Sequence, residues 1–540
     1  MTSTGAVARS SLVMAAGTFT SRVLGLVRAV LLVGVLGATG LTADAFQVAN
    51  TLPNNFYLLL AGGILNAVLV PQIVKASSHP DGGAEFVNRI LTLAVTVFLV
   101  ATVLITAAAP LLVRVFFDTS DADALALATA FAYLCLPQVF FYALYTVLGQ
   151  VLNANNRFGP YMWAPVLANL IALAGLIAFR RLGYPVGAAP GEWDRSMIWL
   201  LAGSATVSIA VQALCLLIPL RRMGFRFRAV WGVRGVGLGS ASRVAMWTFA
   251  AVVVSQLGYV VTSRVLTRAS TIADERGLTV PGLFSFQQAF LLFVLPHSLV
   301  TVSIVTALFT RMSHAARERD TGELVGDLRR GLLMPAVVLV PGVVFGVLFA
   351  PLVTRTLFFQ NPTVQTDAIA LVMVPLFLGV VPYGWVYLSE RFFYAFEDAR
   401  IPFLVQCLVT GFATVVTLLA SLAAPTRTAA VVAGGQSTAY VLGAVLGFAL
   451  IRRRVGPVGL GGVVGTYLRL LVPALVSGLL GVLLVRLAGP GLADDRLGGA
   501  LVLAGVGTLL MVGTVLGAHL LGVRQVGELL GPVLRRVRRG

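Results

Sequence analysis

The stretch VLNANNRFGPYMWAPV (Val151–Val166) comes back in altered form as FYAFEDARIPFLVQCL (Phe393–Leu408), and that return decides the fold. Pro402 follows Pro160 by 242 residues. A second pair, NAVLVPQIVKASS (Asn66–Ser78) and TALFTRMSHAARE (Thr306–Glu318), keeps nearly the same offset, with Ala307 240 residues after Ala67. One short apolar match is easily accidental; two at a common offset, each at the end of an apolar run, are not. The chain therefore reads as a parallel duplication, with lobes at 1–225 and 226–455, an addition at 456–522 and a basic tail at 523–540. Transporters built on parallel repeats relate their halves by an axis along the membrane normal, and their substrate sits between them.

What is repeated is a set of membrane helices. Of 540 residues, 58% are hydrophobic and only 11% charged, and the mean hydropathy is +0.93. Soluble chains carry about a quarter charged residues. The apolar runs are about 20–30 residues long and do not alternate, which selects helices over a β-barrel. Fourteen candidate spans fall at approximately 8–37, 44–74, 88–115, 123–152, 159–181, 196–221, 240–266, 281–312, 329–357, 366–395, 401–423, 428–452, 464–487 and 497–522. The ninth and tenth are interrupted by Pro335, Pro341, Pro375 and Pro382. No cleavable signal peptide is read in MTSTGAVARS.

The net charge of +18 follows the membrane. One set of loops holds Lys75 and Arg89, then Arg221, Arg222, Arg226 and Arg228, then Arg311, Arg317, Arg319, Arg329 and Arg330. It continues with Arg452, Arg453 and Arg454 and ends at Arg535, Arg536, Arg538 and Arg539. The opposite loops are poorer in arginine, so the first set is expected to be cytoplasmic, with both termini. The arginines flank spans and form no basic domain, which argues against a nucleic-acid partner. Cys135, Cys215 and Cys407 all lie in apolar runs and read as small buried hydrophobes. The histidines have no ligand spacing, and no phosphate-binding loop or nucleophile elbow is present. No metal, cofactor or catalytic residue is expected.

Within the first span the stretch SRVLGLVRAVLLVGVLG (Ser21–Gly37) carries two arginines, Arg22 and Arg28. An arginine at the bilayer centre costs roughly 2.5–3.5 kcal/mol on insertion scales. At about 100° per residue, Thr18, Ser21, Arg22, Gly25 and Arg28 fall within about 120° of one another. The two guanidinium groups are roughly 9 Å apart along the axis. A face of small and hydroxyl residues bracketed by two arginines suits a wet cavity, and the guanidinium fork chelates phosphate oxygens. A diphosphate headgroup is the expected ligand; an ion pair or snorkelling is the structural alternative. Asp44, at the outer start of the second span, either pairs with Arg28 or caps its own helix. Asn50, Asn54, Asn55 and Asn66 make that span polar, and Asp44, Ser21, Thr18, Asn50 and Asn54 are candidates for cavity or gating roles.

These residues resemble a known family. SRVLGLVR (Ser21–Arg28), LGATGLTADAFQVANTLPN (Leu36–Asn54) and LVPQIV (Leu69–Val74) are similar to the start of the MurJ (MviN) lipid II flippases of the multidrug/oligosaccharidyl-lipid/polysaccharide exporter superfamily. VLNANNRFGPYMWAPVLAN (Val151–Asn169) and SERFFYAFEDARIP (Ser389–Pro402) resemble the cytoplasmic ends of that family's fourth and tenth spans. The resemblance implies a bacterial plasma-membrane protein of fourteen helices with a central cavity and alternating access. It implies transfer of undecaprenyl-diphosphate-linked muropeptide to the outer leaflet, and a groove for the polyprenyl tail near spans thirteen and fourteen. Arg22 and Arg28 match the family's required cavity arginines, and Asp44 a functionally important aspartate. The implied partners are lipid II, membrane lipids and the proteins of cell-wall synthesis and division. The chain departs from the family at Ala29, Tyr57, Gly62 and Leu291, where charged residues are common, and in LVTGFATVVTLLA (Leu408–Ala420), which lacks the family's sodium-site polar residues. The alternatives are a flippase for another lipid-linked polysaccharide, a drug exporter of the same superfamily, and a non-transporting cell-wall scaffold. A drug exporter would place acidic residues in its cavity spans, where Glu390 is the main candidate and neighbours Arg391.

Overall fold

The structure is a computed structural model and describes residues 3–61, 84–155, 157–225, 227–231, 243–489 and 496–527. The repeated segment Asn66–Ser78, with Lys75 and Gly62, and the basic residues Arg535 to Arg539 lie outside the described residues. The described residues form helices and connecting turns. In chain order they are α1 (Ser3–Leu36), α2 (Leu41–Leu60), α3 (Ala84–Ala107), α4 (Ala109–Phe116), α5 (Ala122–Cys135), α6 (Gln138–Ala154), α7 (Phe158–Arg181), α8 (Arg195–Arg222) and α9 (Arg243–Asp274). Then come α10 (Leu283–Glu318), α11 (Thr321–Leu348), α12 (Ala350–Leu357), α13 (Thr363–Phe377) and α14 (Val380–Ala395). The last four are α15 (Arg400–Ala420), α16 (Pro425–Val455), α17 (Leu460–Ala488) and α18 (Arg496–Leu520).

Among the described residues eleven helices are long and apolar enough to cross a membrane, and thirteen if each of two bent pairs counts as one span. The pairs are α3 with α4, bent by 70°, and α13 with α14, bent by 49°. The expected second span begins as α2 and continues outside the described residues. Prolines act as their positions dictate. Pro335 and Pro341 lie within α11, which runs through both. Pro110 and Pro351 stand at the first turn of α4 and α12, where a missing N–H costs nothing, and each starts a new helix after a break.

The chain divides into two compact units, Met1–Leu278 and Thr279–Gly540. Each has its own core. In the first, Leu91, Phe98, Val147, Val151 and Leu152 are packed together, and in the second Leu332, Leu388, Phe392 and Phe393. Leu91 and Leu332, Val147 and Leu388, Val151 and Phe392, and Leu152 and Phe393 are each separated by 241 residues. Ala109-Pro110 and Ala350-Pro351 keep that same separation, as do Arg114 and Arg355 that follow them. The duplication is thus carried by buried positions and helix starts, between the offsets of the two sequence pairs. By that count α9, one offset after α1, is the first helix of the second half. It nevertheless packs within the first unit, against α2 and α4.

Candidate functional site in the first unit

α1 packs most extensively on α7, and its small residues explain why. A Cβ on Gly17 would stand 3.0 Å from the Trp163 Nε1, and the nearest atom to a Cβ on Gly25 is the Asn169 amide nitrogen. Between them, Asn169 Nδ2 donates to the Ser21 carbonyl at 2.9 Å and to its hydroxyl at 3.3 Å. Gly17, Ser21 and Gly25, four residues apart, form a seam of close helix approach, the usual work of small residues in membranes. Of the stripe expected to line a wet cavity, Ser21 and Gly25 lie in this packing seam. Thr18 is exposed and donates to its own helix at Met14 O, 3.0 Å away.

Arg28 emerges where the seam ends. It lines a cavity of about 60 Å³ with Asn50 of α2, Gln138 and Tyr142 of α6, and Ser204 of α8, the remaining wall being apolar. Among the described residues no carboxylate forms an ion pair with Arg28. Its surroundings are neutral oxygens and amides held by one another. Gln138 Nε2 donates to Thr206 Oγ1 at 2.9 Å, and Thr206 Oγ1 to the Leu134 carbonyl at 2.6 Å. Tyr57 shares a 2.7 Å hydrogen bond with Thr146, and its ring lies 5.7 Å from that of Tyr142. Tyr57, where charged residues are common in the resembled family, thus packs beside Tyr142 behind the cavity wall. Water fits such a space, whereas a diphosphate headgroup needs a wider one. Arg22, partly exposed, does not line this cavity, and Asn54 is exposed on α2. Of the candidates, Arg28 and Asn50 share a wall; Ser21 and Thr18 are elsewhere on α1.

Asp44 takes neither of its two expected roles. The N-cap of α2 is Gly40, in a positive-φ conformation and without a side-chain cap. Asp44 is fully buried in the first turn and accepts a 2.6 Å hydrogen bond from Ser270 of α9. Ser270 belongs to a polar stripe on α9 that no sequence argument singled out. Ser263 Oγ donates to the Phe116 carbonyl at 2.7 Å, and Thr267 Oγ1 receives the Asp118 N–H at 3.0 Å. Arg264 pairs with Asp118 at 2.9 Å and also donates to the Arg114 carbonyl at 3.0 Å. Beyond them Ser120 donates to Glu275 at 2.8 Å. The signal was there as hydroxyls at positions 263, 267, 270 and 271, a helical spacing, but their partners are about 150 residues and more away in sequence.

With this geometry established, comparison with known proteins identifies the lineage. A profile of the lipid II flippase MurJ family matches residues 32–491. The chain belongs to the MurJ family of lipid II flippases. That family is one of transporters and not of enzymes. A probable lipid II flippase MurJ of Rhizobium meliloti (strain 1021) is 25% identical over 439 residues, covering 79% of this chain and 78% of the relative. A solved structure of a lipid II flippase MurJ in an inward closed conformation superposes with a TM-score of 0.69 at 18% identity, over 93% of this chain and 98% of the other. An inward-facing multidrug MATE transporter of the same superfamily gives a TM-score of 0.59 at 17% identity, over 81% and 95%. These likenesses give the fold, a MurJ- and MATE-like multi-pass helical architecture. Arg22 and Arg28 of α1 precede the residues the MurJ profile matches.

Proposed function

We propose that this MurJ-family chain flips lipid II across the plasma membrane, from the cytoplasmic to the outer leaflet, by alternating access of its two halves. The family match over most of the chain carries this reading. Arg28 is the residue we assign to the diphosphate headgroup, with Asn50 and Gln138 beside it as neutral donors. A partly buried cation with no described carboxylate partner is costly, and an anionic ligand would offset that cost. Arg22 is assigned to the approach, one step earlier on the same helix. The Asp44–Ser270 bond and the Arg264–Asp118 pair make a clasp at the end expected to face outward, consistent with an outer gate that is shut while the headgroup space is small. The cytoplasmic placement of both termini rests on the arginine asymmetry. Lipid II and the surrounding lipids are the partners this reading requires.

The test is flipping of labelled lipid II by the purified chain in proteoliposomes. The unmutated chain is expected to flip it. Arg28→Ala is expected to be slower by about 10- to 100-fold, the equivalent of one charged hydrogen bond. Arg28→Lys, which keeps charge but not the planar fork, should fall between. No flipping by the unmutated chain would overturn the function; an undiminished rate in Arg28→Ala would overturn the headgroup role alone.

A further inference from the structure

The second unit holds an apolar groove that the headgroup reading does not use. It lies between α14 and α16, has a volume of about 660 Å³, and is lined by Val381, Trp385, Val441, Val445 and Phe448, with Arg452 and Arg453 at one end. That volume is in the range of built ligand sites. Its polar wall atoms are already satisfied: Trp385 Nε1 donates to Tyr467 Oη at 2.9 Å, and that hydroxyl donates to the Leu332 carbonyl at 2.8 Å. What remains facing the groove is hydrocarbon, with Val445 63% exposed.

The three arginines that end α16 are not alike. Arg454 is occupied, pairing with Asp398 at 3.1 Å and lying 4.2 Å over the Phe396 ring. Arg452 and Arg453 are exposed, line the groove, and pair with no carboxylate among the described residues. From Val441 to Arg452 the groove follows α16 for roughly 16 Å at 1.5 Å per residue. That is about half of a 30 Å hydrocarbon core, one leaflet deep. A groove of one leaflet's depth, apolar along its length and dicationic at its interfacial end, matches one acyl chain and one phosphate. A long polyprenyl chain would overrun it.

We propose that this groove holds one anionic glycerophospholipid, its phosphate on Arg452 and Arg453 and an acyl chain along Val441, Val445 and Phe448. The site gives the protein a preference for anionic lipid at the α14–α16 pair. Basic pockets between membrane helices have this chemistry, with each arginine near the surface contributing about fivefold.

Native mass spectrometry of the full chain, released from nanodiscs of equal phosphatidylglycerol and phosphatidylcholine, tests the proposal. One phosphatidylglycerol is expected to be retained, enriched by about fivefold per arginine over phosphatidylcholine. The double variant Arg452→Gln, Arg453→Gln should lose the preference. Val445→Trp, which fills the groove at an exposed position, should lose the retained lipid with its unfolding temperature unchanged. Equal retention of the two lipids, or undiminished phosphatidylglycerol in both variants, would overturn the proposal. So would displacement of that lipid by equimolar undecaprenyl diphosphate, which would give the groove to a polyprenyl chain.

Discussion

A buried charge is intelligible only through its partners, and the two conspicuous charges of the first unit have unlike ones. Asp44 is closed off by a hydroxyl of α9, whereas Arg28 faces amides and phenols across a small void. Removing the Ser270 hydroxyl deletes a charge-assisted bond of about 1.5–3 kcal/mol. Ser270→Ala is therefore expected to loosen the clasp, raising thiol labelling of a cysteine at Thr267 by about tenfold or more. Unchanged labelling would deny the bond any part in holding α9 to α2. The residue types at 22, 28 and 44 were legible as out of place in apolar spans. Their partners were not, because Ser270 is 226 residues beyond Asp44 and nothing local marks it.

Helices here approach one another through missing side chains. In the α1–α7 seam, Gly17 and Trp163 leave no room for a Cβ larger than a neighbour can yield. Gly17→Leu should force the pair apart and cost about 1–3 kcal/mol, read as a lower unfolding temperature in detergent. A Gly17→Leu chain as stable as its parent would show the seam to be slack. At the other end of the first unit, Asp194 caps the start of α8, accepting from Ser196 Oγ at 2.7 Å and the Met197 N–H at 2.8 Å. These bonds, that from Ser196 foremost, hold its carboxyl below the usual aspartate range. The contribution is thus present at neutral pH and is lost as pH falls below about 3.9 and through the lowered value. Amide exchange at residues 195–203 should rise over that window in the parent and show no such step in Asp194→Asn. A period of 100° per residue sorted small from large on α1 correctly, yet could not say whether the small face met water or another helix. Only the position of α7 decides that. The proline-interrupted spans show the same limit: one pair bends at Leu378-Gly379, while Pro335 and Pro341 interrupt nothing.

At the scale of the whole molecule, two cores occupy positions 241 residues apart. The duplication was legible from two segment pairs because they keep similar residues at helix ends, Pro160 and Pro402 among them, while three of the four paired core positions hold different apolar residues. Equivalent positions in separate cores should behave as independent sites. Leu152→Ala is expected to cost about 2–5 kcal/mol and Phe393→Ala about 3–5 kcal/mol. Their double variant should match the sum within about 0.5 kcal/mol. A clear excess in unfolding measurements would mean the cores are energetically one.

The order in which a chain is synthesised gives the polar stripe of α9 one more consequence. Helices α1 to α8 leave the ribosome before Ser263, Thr267 and Ser270 exist, so the ends of α2 and α4 that these residues hold enter the bilayer without their clasp. The first unit is finished by the opening helix of the second half. A nascent chain arrested after residue 225 should stay open to protease at Asp118–Ser120, and one arrested long enough to release Asp274 should not.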